Sequence, residues 1–205
     1  MNPDAQKIRN ASLASSFQTY LTIAFAVATA NCPFGQSVNT ARLLKEWGDD
    51  VEFKVYAELT VAEKSAAGCG MTGMKLAAYQ YLHRNQDVIY DKFLECDKLQ
   101  DGHLIFWNYC MDCLAGMGMV KSAFAVQMLF NRLGCIDIHN ARELGYDKCP
   151  TGKAFKNRPT YLNIQAIKSS EQWWNDWCKM LATKYPGQFT SGEHVSSLHS
   201  EAVIL

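Results

Sequence analysis

Apolar positions recur along this chain with the three-to-four-residue spacing of an amphipathic helix, not with the two-residue alternation of a half-buried strand. Ala11 to Ala30 has the length and residue types of a buried helix, stopped at Asn31-Cys32-Pro33 by proline. Asn39 or Thr40 can cap a helix over Ala41 to Gly48, and Thr60 can start one over Val61 to Ala67. Gly68-Cys69-Gly70-Met71-Thr72-Gly73 is a glycine-rich turn. It either cradles a phosphate or lets two helices pack closely. The second reading is preferred, since no Lys-Ser/Thr follows in P-loop order. Met74 to Leu82 is a helix, and Asp87 caps Val88 to Glu95. Asp101-Gly102 turns the chain into His103 to Cys113. Met119 to Leu133 is a helix with a wide apolar face, ended by Gly134. Asp137 begins a helix over Ile138 to Leu144, and Ser170 caps one over Glu171 to Tyr185, where Trp173, Trp174 and Trp177 read as core. With no repeat and no strand-rich region, an all-α fold is expected.

Two of these junctions carry candidate chemistry. The first is Leu114-Ala115-Gly116-Met117-Gly118-Met119, with Val120, Lys121 and Ser122 in the helix that follows. Gly116 and Gly118 allow dihedrals that a Cβ resists, so a tight turn can expose N–H groups at the helix start. Such a start binds anions, and on DNA the anion is a phosphate. The second junction is Cys135-Ile136-Asp137-Ile138-His139-Asn140, which places one carboxylate at the start of the next helix.

Together the two segments resemble those of the helix-hairpin-helix DNA glycosylases, over residues 104–145. In that superfamily a Leu-Pro-Gly-Val-Gly-like hairpin grips the DNA backbone, and a Val-Asp-Thr-His-like segment supplies the catalytic aspartate. This chain departs from the pattern twice. Ala115 stands where the hairpin proline is usual. Val120 stands where bifunctional members carry a nucleophilic lysine, and Lys121 lies one residue on, a rotation of about 100° on a helix. Schiff-base chemistry needs a desolvated lysine at the matching place. The resemblance therefore implies a monofunctional enzyme without lyase activity. It implies two small helical lobes in a single domain over 1–205, with the active site in the cleft between them and a loose tail at 187–205. Asp137 is the implied catalytic residue. Gly116, Met117, Gly118, Met119, Lys121 and Ser122 are the implied DNA contacts, and Asn108, Tyr109 and Asn140 are candidate pocket residues. His139 is implied to be structural. Some members bind an iron–sulfur cluster through four closely spaced C-terminal cysteines. Only Cys149 and Cys178 follow Asp137, so no cluster is expected.

Charge and cysteine content refine this picture. The chain has 20 basic and 20 acidic side chains, but Leu114 to Tyr161 holds seven bases against three acids. That local excess is an electrostatic footprint for a polyanion, or else a solvated surface. Eight cysteines in a chain with a polar N-terminus are expected to be free thiols. Cys110-Met111-Asp112-Cys113 lacks the second pair a zinc site needs and reads as small residues on a buried helix. No metal or cofactor is expected, apart from a monovalent cation at the hairpin. No apolar run reaches the length of a membrane span. The expected partner is double-stranded DNA, bound by a monomer in the cytoplasm, or in the nucleus or host cytoplasm for a eukaryotic or viral source.

The chemistry suits the residues. Breaking an N-glycosidic bond develops positive charge on the sugar, which a fixed carboxylate stabilises while orienting water. The base must leave the stack to be reached. Asp137 also suits a plain helix N-cap, and the two roles are compatible. Two alternatives stand beside hydrolysis: a non-catalytic DNA-binding protein, and a base-hypermodification enzyme on the same scaffold.

Overall fold

The computed structural model describes residues 3–30 and 32–131. The described residues contain eight α-helices and three short 3₁₀ turns, and the fold is all-α. The helices are α1 Pro3–Ala14, α2 Ser16–Ala28, α3 Phe34–Trp47, α4 Val61–Ala67, α5 Gly73–Arg84, α6 Gln86–Asp97, α7 Gly102–Cys113 and α8 Met119–Phe130. The 3₁₀ turns are Gly48–Phe53, Tyr56–Glu58 and Gly68–Gly70.

Helix α2 is the axis of the fold. Every residue from Thr19 to Ala28 is buried, as a helix apolar on all sides requires. Around it pack α1, α3, α5, α6 and α8. Two of its polar groups are satisfied locally: the Thr19 hydroxyl donates to the Ser12 carbonyl at 2.9 Å, and the Thr22 hydroxyl to that of Gln18 at 2.9 Å. A second aromatic layer joins Phe93 on α6, Phe106 on α7 and Phe130 on α8, with ring centroids 5.1 to 5.9 Å apart. The described helices thus share one hydrophobic core. Residues 132–145 of the motif and the tail at 187–205 lie outside the described residues, and the expected two lobes depend on them.

Several expected boundaries move, each for a local reason. The run from Ala11 to Ala30 is two helices. Ser15 takes an extended conformation between them, and its side chain accepts from the Gln18 N–H. Helix α3 starts at Phe34 behind Pro33, so Asn39 and Thr40 sit inside it and cap nothing. The Thr40 hydroxyl donates to the Gln36 carbonyl at 2.8 Å, and the Asn39 amide reaches the Ala66 carbonyl at 3.1 Å. Asp87 lies in the first turn of α6, with Asn85 at the N-cap. Helix α8 ends at Phe130, because Asn131 adopts the left-handed conformation (φ +54°) that closes a helix, ahead of the expected Gly134. By contrast, Thr60 caps α4 as expected. Its hydroxyl accepts from the Glu63 N–H at 3.1 Å while the Glu63 carboxylate accepts from the Thr60 N–H at 2.7 Å.

Candidate functional site

The expected hairpin is a tight connection between α7 and α8. Leu114 to Gly118 turns the chain, with the Met117 N–H donating to the Leu114 carbonyl at 3.3 Å. Gly116 has φ +77°, where a side chain is strained. A Cβ there would also press on Ala78 of α5, at 3.2 Å, and on Val27 of α2, at 3.4 Å. Gly116 therefore does two jobs: it makes the turn and lets it seat on α2 and α5. Gly118 differs from the expectation. Its backbone is extended (φ −116°, ψ −179°), and a Cβ added there meets nothing. No conformational constraint requires glycine at 118.

Gly118 is the N-cap of α8, and no side chain caps the helix. The Ser122 N–H donates to the Gly118 carbonyl at 2.9 Å, the first bond of the helical ladder. The N–H groups of the preceding turn have no partner within the helix. Gly118 is exposed, so this start faces solvent. Lys121 is half-buried and folds back over the turn, donating from Nζ to the Gly116 carbonyl at 3.1 Å. Burial lowers its pKa, and the Lys75 ammonium nearby lowers it further. The Lys121 ammonium thus sits on a carbonyl of the hairpin.

The other predicted site residues are placed as follows. Met117 is buried. Ser122 is fully buried, and its hydroxyl has no partner among the described residues. Val120 is half-buried. Asn108 is buried in α7, with its amide N–H donating to the Leu104 carbonyl at 3.0 Å and its side-chain oxygen unpartnered among the described residues. Tyr109 is half-buried against Phe106, and burial pushes its phenol up to about 12. Cys110 is buried in α7 and Cys113 is exposed at its end; burial raises the Cys110 thiol well above its ordinary range. Asp137, His139 and Asn140 lie outside the described residues, as do six of the seven bases between Leu114 and Tyr161. Among the described residues no group of three or more His, Cys, Asp or Glu is placed to hold a metal ion. None of the described helices is long and apolar enough to cross a membrane.

One member of this neighbourhood has no motif. Lys75, in the first turn of α5, donates all three ammonium protons to carbonyls: Ala28 at 2.9 Å, Ala30 at 2.9 Å and Cys69 at 2.7 Å. A cation on the terminal carbonyls of α2 complements the negative end of the helix dipole. It also ties the end of α2 to the Gly68–Gly70 turn. Only tertiary structure brings these three carbonyls together.

No family model, curated protein or solved structure matches this chain.

Proposed function

We propose that this protein is a monofunctional DNA N-glycosylase. The start of α8 and the Gly116 turn grip a backbone phosphate, and Asp137 serves as the carboxylate that stabilises the developing sugar cation and orients water. The observation that carries the reading is the open start of α8: an exposed, extended glycine at the N-cap, no capping side chain among the described residues, and a turn seated on α2 and α5. Unsatisfied N–H groups and the helix dipole favour an anion there. The Ile-Asp-x-His segment that follows supports catalysis, and Val120 in place of the nucleophilic lysine supports hydrolysis without strand cleavage. The partner under this reading is double-stranded DNA, bound by a monomer without a cofactor.

The test is a panel of duplexes, each with one altered base, incubated with the full chain and then treated with alkali. An abasic site in place of at least one of the altered bases is expected. Asp137→Asn should keep duplex binding and lose turnover, because it removes charge and retains shape. A near wild-type rate in that variant overturns Asp137 as the carboxylate. Strand cleavage without alkali, trapped by borohydride, overturns the monofunctional assignment.

A non-catalytic DNA-binding protein is the second reading. It is supported by the seating of the Gly116 turn, between α7 and α8, on α2 and α5. Binding by wild type and Asp137→Asn alike, with no abasic product on any duplex, is its signature.

A further inference from the structure

The Gly68–Gly70 turn lies against α3 at a distance only glycine permits. A Cβ on Gly68 would overlap the Gln36 carboxamide, and one on Gly70 the Thr40 hydroxyl. This contact carries Cys69 to Gln36, and Gln36 holds Cys32 as well. The Gln36 side-chain oxygen lies 3.2 Å from the Cys69 sulfur, 3.7 Å from the Cys32 sulfur and 3.1 Å from the Cys69 backbone nitrogen. Three donors therefore converge on one oxygen with two lone pairs. The backbone N–H is the strongest of them, and the thiols are weak donors. Loss of both thiol protons would leave Gln36 with its best partner.

Lys75 holds the two cysteine-bearing segments together, through the Ala30 carbonyl on one side and the Cys69 carbonyl on the other. The Cys69 residue is exposed and Cys32 is half-buried. Burial is the main influence on the Cys32 thiol and raises its pKa. The adjacent Cys69 thiol raises it too, while the Ser37 hydroxyl and the Lys75 ammonium act the other way. The other described cysteines do not share this site: Cys96 and Cys110 are buried and Cys113 ends α7.

We infer that Cys32 and Cys69 form a dithiol that closes to a disulfide by exchange with a low-molecular-weight disulfide. The exposed Cys69 thiolate attacks one sulfur of the small disulfide, forming a mixed disulfide and releasing one small thiolate. The Cys32 thiolate then attacks the Cys69 sulfur and expels the second. One small disulfide is reduced to two thiols, and the protein dithiol is oxidised by the same two electrons; the two protons leave with the small thiols. Against the effect of burial, the Lys75 ammonium favours the Cys32 thiolate. The inference is independent of any activity on DNA.

The test uses the reduced full chain equilibrated with glutathione disulfide, blocked with iodoacetamide and digested with trypsin without reduction. Cleavage after Arg9, Arg42, Lys64 and Lys75 places Cys32 and Cys69 alone in the peptides 10–42 and 65–75. The expected product is these two peptides joined, lighter by two hydrogens than the free pair. Cys32→Ser should abolish the cross-link and leave peptide 65–75 as its glutathione adduct. Cys69→Ser should leave peptide 10–42 largely alkylated. Serine is nearly isosteric with cysteine, so both variants should fold, which circular dichroism checks. Separate glutathione adducts on both cysteines of the wild-type chain, or Cys69 joined to a different cysteine, would overturn the proposal.

Discussion

Two Gly-x-Gly turns look alike in the sequence and differ in the structure. Gly68-Cys69-Gly70 precedes α5, and Gly116-Met117-Gly118 precedes α8. Each is fastened by a lysine from the following helix, Lys75 on the Cys69 carbonyl and Lys121 on the Gly116 carbonyl. In the first turn both glycines are needed for close approach to α3, and Thr72 then caps α5 through its side-chain oxygen. In the second, Gly116 alone is constrained, and no side chain among the described residues caps α8. The glycine pattern therefore reports a turn. What differs between the two turns is how closely they pack and whether a side chain caps the helix that follows.

The largest effect should come from Gly68→Ala. Its φ of +49° with ψ of −130° lies outside the regions open to a side chain, and the methyl group would expel the Gln36 carboxamide. A loss of roughly 2–4 kcal/mol in a urea melt is expected. Gly116→Ala should cost less, about 1–3 kcal/mol, since its neighbours Ala78 and Val27 need yield only slightly. Unlike Gly68→Ala, it should also weaken duplex binding beyond what instability explains, measured by anisotropy well below the melting temperature. Thr72→Ala should cost about 1 kcal/mol through the lost cap and leave duplex affinity unchanged. A fall in affinity with Thr72→Ala would erase the contrast between the two turns.

The all-α class, α4, the start of α8 and the extent of α7 were legible because each rests on local signals: Thr60 as a cap, a long apolar period, glycines at a turn. The break at Ser15 also had a local signal. Ser15 with Gln18 three residues on is a capping-box pattern, hidden inside a continuous apolar run. Pro33 signalled the start of α3, but Asn39 and Thr40 looked like better caps because their side chains can also bond carbonyls from within a helix. The site was less legible. Nothing local distinguishes Gly116 from Gly118; their difference depends on what packs against them. The burial of Ser122 and Asn108 follows from the packing of α7 and α8, which periodicity alone does not place. The Cys32–Gln36–Cys69 cluster and its Lys75 clamp join segments far apart in the chain and leave no motif.

The most direct test of the central claim, that the open start of α8 is the phosphate grip, is the duplex affinity of Gly118→Asp. The extended backbone and empty surroundings of Gly118 accept the side chain without strain. The new carboxylate should cap α8, raising stability by about a few tenths of a kcal/mol. It should also occupy the N–H groups that a phosphate would use and repel the phosphate itself. A protein at least as stable as wild type that binds duplex DNA about tenfold or more weakly, with a shallower salt dependence, is the predicted result. Unchanged duplex affinity in that folded variant would contradict the account.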